Sequence, residues 1–230
     1  MTQHLTTPLV SIRNLGKIYP GNPEPALFDI GFDIEAAAQI AVTGPSGCGK
    51  STLLNIIGTL DAPTEGEILY RGKGPRALGP LPAFRARNIG FVFQFHHLLP
   101  TFTLAENVEA PLVPLGLSKS VRREKSAALL SDLGLFHRRG ALPHQVSGGE
   151  RQRIAVARAL VAEPRLVLAD EPTGQLDSKT GDLVMEYLIE FCAQKSMALV
   201  VVTHNEAAAA RMGRRIHLKD GRQCDAPPPA

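Results

Sequence analysis

Apolar and polar positions alternate along this chain with two different rhythms. Residues 39–43 (QIAVT), 166–169 (LVLA) and 198–203 (ALVVVT) are short runs with almost no polar interruption. Runs of that length and β-branched content suit parallel strands buried on both faces, where strict alternation would place polar groups in a core. Residues 26–34 alternate well enough for a further strand. Residues 10–19 mix apolar and polar positions and stop at Pro20-Gly21-Asn22-Pro23, a turn cluster. Residues 50–60 read as a helix. Residues 66–90 hold short strands around a Gly- and Pro-rich excursion at 72–82. From 98 to 161 the pattern turns mainly helical, apart from a loop at 137–146, and Ile154, Ala157 and Val161 fall on one helical face. Helical segments separate the later apolar runs. The order is a β-rich start, a strand with its loop and helix, a helical insert, then β–α–β. It predicts an α/β fold with a helical lobe inserted into its core. Residues 1–8 are expected to fray, and the Pro-rich 224–230 tail is expected to be disordered.

Composition narrows the function classes without naming one. The 230 residues are 44% hydrophobic and 20% charged, ordinary values that exclude a mostly disordered or fibrous chain. The net charge of +3 is too mild for the concentrated basic face of a nucleic-acid binder, so no nucleic-acid partner is expected. The densest positive cluster, Arg211, Arg214 and Arg215, reads as a solvated helix end. Cys48, Cys192 and Cys224 share no metal-ligand spacing, and a sparse, odd count suits a reducing compartment. No secretion signal is expected, because no early stretch joins a basic start to an apolar run. No run reaches the roughly 18 apolar residues of a membrane span.

The chemistry begins at Gly44-Pro45-Ser46-Gly47-Cys48-Gly49-Lys50-Ser51, which matches GxxxxGK[ST] at every fixed position. It lies between a predicted strand and a predicted helix, where the mechanism needs it. The glycines let backbone N–H groups curl inward around an anion, and the following helix adds the positive end of its dipole. Lys50 supplies a mobile cation for terminal phosphates, Ser51 a hydroxyl for Mg²⁺, and Thr52 a neighbouring hydroxyl. The apolar strand at 166–169 ends in Asp170 and Glu171, at the strand end where ligands bind in parallel sheets. Adjacent strand residues point in different directions, so two roles are expected. Asp170 suits Mg²⁺ through a bound water, and Glu171 suits the attacking water as base or orienter. Ser147-Gly148-Gly149-Glu150 precedes a second helix, with Ser147 a natural N-cap. These residues alone leave two readings open: a capped helix, or a second anion site that closes on the phosphate of another molecule.

Together these residues resemble the ATP-binding cassette (ABC) family. Residues 44–52 are similar to its Walker A motif, 166–171 to its Walker B, and Val146-Ser147-Gly148-Gly149-Glu150 to its signature. Gln94, after the strand at 89–93, fits the glutamine loop. Gly174-Gln175-Leu176-Asp177 fits the D-loop, and His204, directly after the strand at 198–203, fits the switch histidine. Tyr19 fits the aromatic that stacks on adenine. All occur in order, and the resemblance spans about residues 9–223. It implies an α/β P-loop NTPase cassette with a RecA-like core, an N-terminal antiparallel β part and an inserted helical lobe. The core would comprise 9–94 and 163–223, and the lobe 95–162. The implied activity is ATP hydrolysis with ATP and Mg²⁺. Two cassettes would pair as a homodimer, each ATP lying between one subunit's P-loop and the other's signature, which decides the role of the second glycine site. Gln94 would contact Mg²⁺ and water and link core to lobe, and His204 would touch the γ-phosphate and position Glu171. Val146 stands where leucine is more usual and Gln175 where asparagine or alanine is common; no catalytic position is missing.

A finer resemblance rests on Phe95-His96-His97-Leu98-Leu99-Pro100, Thr103-Leu104-Ala105-Glu106-Asn107-Val108, Gly149-Glu150-Arg151-Gln152-Arg153 and Glu171-Pro172-Thr173-Gly174. These are similar to the lipoprotein-releasing and macrolide-exporting branch. It implies integral-membrane permease partners (FtsX-, LolC- or MacB-like) and a peripheral place on the cytoplasmic face of the inner membrane. The apolar stretch after Gln94 would receive a partner's coupling helix. The competing readings are cell-division-type signalling through a membrane partner and, further off, an ATPase acting on DNA or ribosomes. The missing coiled-coil insert and the mild charge weigh against the last.

Overall fold

The uninterrupted apolar runs lie side by side in one sheet. The computed structural model of the chain describes residues 7–224. In chain order it contains β1 (Val10–Lys17), β2 (Leu27–Ile34), β3 (Gln39–Thr43), α1 (Lys50–Ile57), β4 (Glu65–Tyr70), α2 (Leu81–Asn88), β5 (Ile89–Val92), α3 (Leu104–Glu109), α4 (Lys119–Asp132), α5 (Gly148–Leu160), β6 (Leu166–Asp170), α6 (Ser178–Gln194), β7 (Ala198–Val202), α7 (Glu206–Ala210), β8 (Arg214–Lys219) and β9 (Arg222–Cys224). Six strands form the larger sheet in the order β5-β6-β7-β3-β8-β9, parallel except for the last. Strands β2-β1-β4 form a separate antiparallel sheet.

The central strands are apolar throughout because each feeds two cores. Ile40, Val42, Leu166, Leu168, Val200 and Val202 join one core with Leu53, Leu54, Ile56 and Ile57 of α1 and the inward residues of the antiparallel sheet. Ala41, Val167, Ala169, Leu199 and Val201 join the other, with α3, α4, α5 and α6. Successive residues of a strand face opposite sides, so helix α1 and the antiparallel sheet cover one face, and α6 with the helices of the lobe covers the other. Helix α1 is thereby held directly behind the loop that precedes it. Among the described residues no helix is long and apolar enough to cross a membrane.

The structure also corrects the sequence reading. The helix expected at 50–60 ends at Ile57, where Gly58 takes the C-cap. The excursion at 72–82 runs into a helix, α2, whose start accommodates Pro82 in its first turn. Arg214 and Arg215 lie in strand β8, not at a helix end; Arg215 pairs with Glu206 at 2.7 Å. Strand β8 alternates polar and apolar residues over 215–219, with Ile216 and Leu218 buried, a signal the sequence reading passed over, while β9 is three exposed residues. Cys224 ends β9, so the disordered tail does not begin there, while 225–230 and 1–6 lie outside the described residues.

The lobe depends on one buried amide. Asn107 is fully buried; its Oδ1 accepts from the Leu99 amide at 2.7 Å, and its Nδ2 donates to the carbonyls of Leu99, Phe102 and Thr103, each at 3.1 Å. Thr103 and Glu106 cap α3 reciprocally beside it. Asn107→Ala strands several buried main-chain groups at once. It is expected to lower unfolding free energy by about 3 kcal/mol, measured by urea denaturation of the full chain.

Candidate functional site

The turn from β3 into α1 is built from residues that no side chain could replace. Gly44, Gly47 and Gly49 have φ of 144°, 79° and 101°. A Cβ on Gly44 would collide with the carbonyl oxygen of Leu218, and one on Gly49 with that of Ala26. The loop is thus clamped between β8 and the segment entering β2, at the N-terminus of α1. Lys50 is 9% exposed and donates to the carbonyls of Gly44 at 2.8 Å and Pro45 at 2.7 Å. Its ammonium is held inside the loop that it would serve.

The two carboxylates at the end of β6 meet different partners, although Glu171 lies just beyond the strand and its direction is set by the turn rather than by strand alternation. Asp170 accepts a hydrogen bond from Ser51, the second residue of α1. Burial raises its pKa; the Ser51 bond opposes this, neighbouring Glu171 adds to the rise, and Lys50 opposes it. Glu171 follows with a left-handed φ of 44°, an uncommon conformation for this residue that turns its side chain away from its neighbour's. Its amide donates to Val202 O at 2.9 Å, and its Oε2 meets His204 Nδ1 at 2.8 Å. Glu171 is 14% exposed at the side chain and His204 72%, so a recessed carboxylate anchors an exposed imidazole.

One cleft of about 400 Å³ gathers Gly44, Ser46, Gly47, Gly49, Lys50, Ser51, Thr52, Gln94, Asp170, Glu171 and His204. The remaining sequence-predicted residues lie elsewhere. Pro45 and Cys48 do not line it, and Cys48 is buried behind the loop. Tyr19 lies outside the cleft lining; its hydroxyl donates to Asp61 at 3.0 Å, and Lys17 stands 4.8 Å from its ring centre. Asp177 caps α6, accepting from the Thr180 amide. Ser147 and Glu150 form a reciprocal cap on α5: Glu150 N donates to Ser147 Oγ at 3.2 Å, and Ser147 N to Glu150 Oε2 at 2.8 Å. Those bonds to Ser147, reinforced by Arg138, hold the Glu150 carboxyl below its usual range. Ala26 and Val202 also line the cleft and were missed by sequence reasoning. Ala26 meets Gly49 through its main chain, which leaves no residue-type signal.

The arrangement fits a nucleoside polyphosphate with a hard divalent cation. The glycine cradle has amides for phosphate oxygens, Lys50 supplies the countercharge, and Ser51, Asp170 and Gln94 offer the oxygen donors that Mg²⁺ prefers. Glu171 and His204 present a carboxylate and an imidazole to the same space.

Comparison with known proteins agrees with this geometry. A family model described as ABC transporter matches residues 27–174. The lipoprotein-releasing system ATP-binding protein LolD of Syntrophus aciditrophicus is 46% identical over 219 residues, covering 93% of this chain and 97% of that protein. LolD of Geobacter metallireducens is 50% identical over 195 residues, covering 84% and 87%. Among solved structures, a dimeric post-hydrolysis state of the ATP-binding cassette MJ0796 bound to ADP and Pi superposes with a TM-score of 0.85 at 40% identity, covering 93% of this chain and 96% of that one.

Lys50→Ala removes the cation but none of the main chain that shapes the loop. It is expected to leave the fold intact and weaken ATP binding by about tenfold or more, read by equilibrium titration with a fluorescent ATP analogue.

Proposed function

The chain belongs to the ABC transporter family and is an ATP-binding, ATP-hydrolysing cassette, and we propose that it powers a membrane permease of the lipoprotein-releasing type. The observation that carries the catalytic part is the Glu171–His204 contact at 2.8 Å, within the cleft that also holds Lys50, Ser51 and Asp170. The transporter branch is supported by relatives named LolD at 43–50% identity.

In this reading the amides of Gly44, Gly47 and Gly49 and the ammonium of Lys50 hold the phosphates of ATP. Ser46 and Thr52 lie on the same wall to bind further oxygens. Ser51 and Gln94 would hold Mg²⁺ directly and Asp170 through water; when bound, the ion neutralises charge developing on the phosphates. Glu171 takes a proton from, or orients, a water molecule. The water oxygen forms a bond to the γ-phosphorus as the bond from that phosphorus to the bridging oxygen breaks, giving ADP and inorganic phosphate. His204, anchored through Nδ1 by Glu171, keeps its other ring nitrogen for a γ-phosphate oxygen. Tyr19 would stack on the adenine.

The second glycine site faces another molecule. Ser147, Gly148, Gly149 and Glu150 do not line the cleft, so an α5 N-terminus that binds ATP does so in a partner cassette. Asp177 would lie on the same paired surface. The dimeric cassette structures among the solved neighbours support the pairing of two cassettes, and in this reading the pair is a head-to-tail homodimer. Phe95 is 63% exposed, and Leu99 and Phe102 are also exposed, directly after Gln94. That cluster would seat a coupling helix of the permease, placing residues 95–162 between ATP and the cytoplasmic face of the inner membrane.

Two outcomes follow. Glu171→Gln should bind ATP and accumulate as a stable dimer while hydrolysis falls by about 10²-fold or more, measured by phosphate release and size-exclusion chromatography; near-normal turnover would overturn the role of Glu171. The wild-type chain should copurify from its own membranes with a polytopic permease, and Phe95→Asp should release it. A chain that stays with the soluble fraction in both forms contradicts the transporter reading.

A further inference from the structure

A half-exposed aromatic ring beside the phosphate cleft is held in place by an ion pair. Tyr19 is 36% exposed and stands two residues beyond the end of β1. Lys17, the last residue of β1, accepts a hydrogen bond at its carbonyl from the Ala26 amide at 2.7 Å, and Ala26 lines the cleft. The ring therefore follows directly on a strand end that is joined to the cleft wall.

A carboxylate beyond α1 fixes this ring from two directions. Asp61 lies in the loop between α1 and β4. Its Oδ2 accepts from the Tyr19 hydroxyl at 3.0 Å, and its Oδ1 accepts from Lys17 Nζ and from the Ala62 amide, each at 2.7 Å. Lys17 Nζ also donates to the Ala62 carbonyl at 2.8 Å. The Lys17 side chain is 12% exposed, and its ammonium stands over the Tyr19 ring, 4.8 Å from the centre. Burial raises the pKa of Asp61, but the bonds from Lys17, Ala62 and Tyr19 outweigh it and hold the carboxyl below its usual range. Between the two residues, the Ile18 amide donates to Thr64 Oγ1 at 3.1 Å, which pins the main chain as well. A ring held at its hydroxyl and on one face has lost its rotamer freedom before any ligand arrives.

We propose that Lys17 and Asp61 are positioning residues for the base of the nucleotide. The ammonium takes one face of Tyr19 and leaves the other for a flat ring to stack on. The Asp61 bond to the hydroxyl sets the angle of that face. This rests on the reading in which Tyr19 stacks on adenine. Neither Lys17 nor Asp61 lines the phosphate cleft, and the ammonium is spent on the carboxylate, a carbonyl and the ring. The brace therefore acts on the base and leaves the phosphate loop alone.

The test compares two ligands on the full chain by isothermal titration calorimetry: ADP, which carries a base, and inorganic tripolyphosphate, which has none. Tyr19→Ala is expected to weaken ADP by about tenfold and to leave tripolyphosphate unchanged. Lys17→Met, Asp61→Ala and Tyr19→Phe are each expected to weaken ADP by about threefold or more, again with tripolyphosphate unchanged. Lys17→Arg, which keeps a cation for both the ring and the carboxylate, should restore the affinity of the parent. If Tyr19→Ala loses ADP while the other variants bind it as tightly as the parent, the brace is overturned and the stacking stands. If Tyr19→Ala itself binds ADP like the parent, the stacking is overturned and the brace with it. Lys17 and Asp61 variants that lose both ligands together also overturn the proposal, because a loosened phosphate site then accounts for the loss.

Discussion

The close approach of the phosphate loop to two neighbouring stretches of main chain organises this molecule. Gly44 rests against the carbonyl of Leu218 in β8, and Gly49 against that of Ala26 at the entrance to β2. Gly221, in the turn joining β8 to β9, leans on the same Ala26 carbonyl. The loop therefore joins three parts of the chain that are distant in sequence: the antiparallel sheet, the central parallel strands and the C-terminal hairpin. Thr43, the last residue of β3, adds a side-chain link to His217 of β8 at 3.0 Å. A loop clamped in this way keeps its amides oriented before any phosphate arrives, and such preorganisation spares the ordering that binding would otherwise require.

From that anchor the chemistry divides between two adjacent carboxylates. Asp170 belongs to the last strand position of β6 and reaches Ser51 on α1. Glu171, one residue on, is turned by a left-handed backbone and reaches His204 beyond β7. One carboxylate thus meets α1 and the other the imidazole of His204. The left-handed Glu171 is a strained position held by its amide bond to Val202 and by the tight turn to Gly174. Strain of this kind persists because strands β6 and β7 are buried on both faces and cannot relax around it.

Polar caps fix the helix ends of the lobe, around an apolar core that includes Leu104, Val108, Leu130 and Ile154. Thr103–Glu106 and Ser147–Glu150 are reciprocal capping pairs, Ser118 caps α4, and Asn107 holds the loop ahead of α3. These bonds decide where each helix begins, and so where the amides of Gly148 and Gly149 emerge. The cap engages the first-turn amide of Glu150 itself. Of the two readings that the residues alone left open, the capped helix is observed, and the second anion site belongs to the proposed function.

Much of this was legible in the residues. The strand 39–43 ends where its apolar run ends, and the glycine pattern after it needs positive φ at three places that it has. Two adjacent carboxylates after an apolar strand were also legible, but the left-handed turn at Glu171, outside β6, is what gives them different partners. Other features left no such signal. Helix α2 hides behind prolines and arginines, the edge strand β9 is only three exposed residues long, and Ala26 acts through its carbonyl alone. The Glu171–His204 contact and the Thr43–His217 link depend on distances between residues far apart in the chain. The sequence by itself determined which chemical groups are present and which local turns can carry them, because both follow from residue type and short-range sterics. Only the tertiary structure decided which groups meet. It brought Lys50, Gln94, Asp170, Glu171 and His204 to one cleft and left Tyr19 and the α5 N-terminus outside its walls, because the order of strands in a sheet is set by packing on both faces and not by order along the chain.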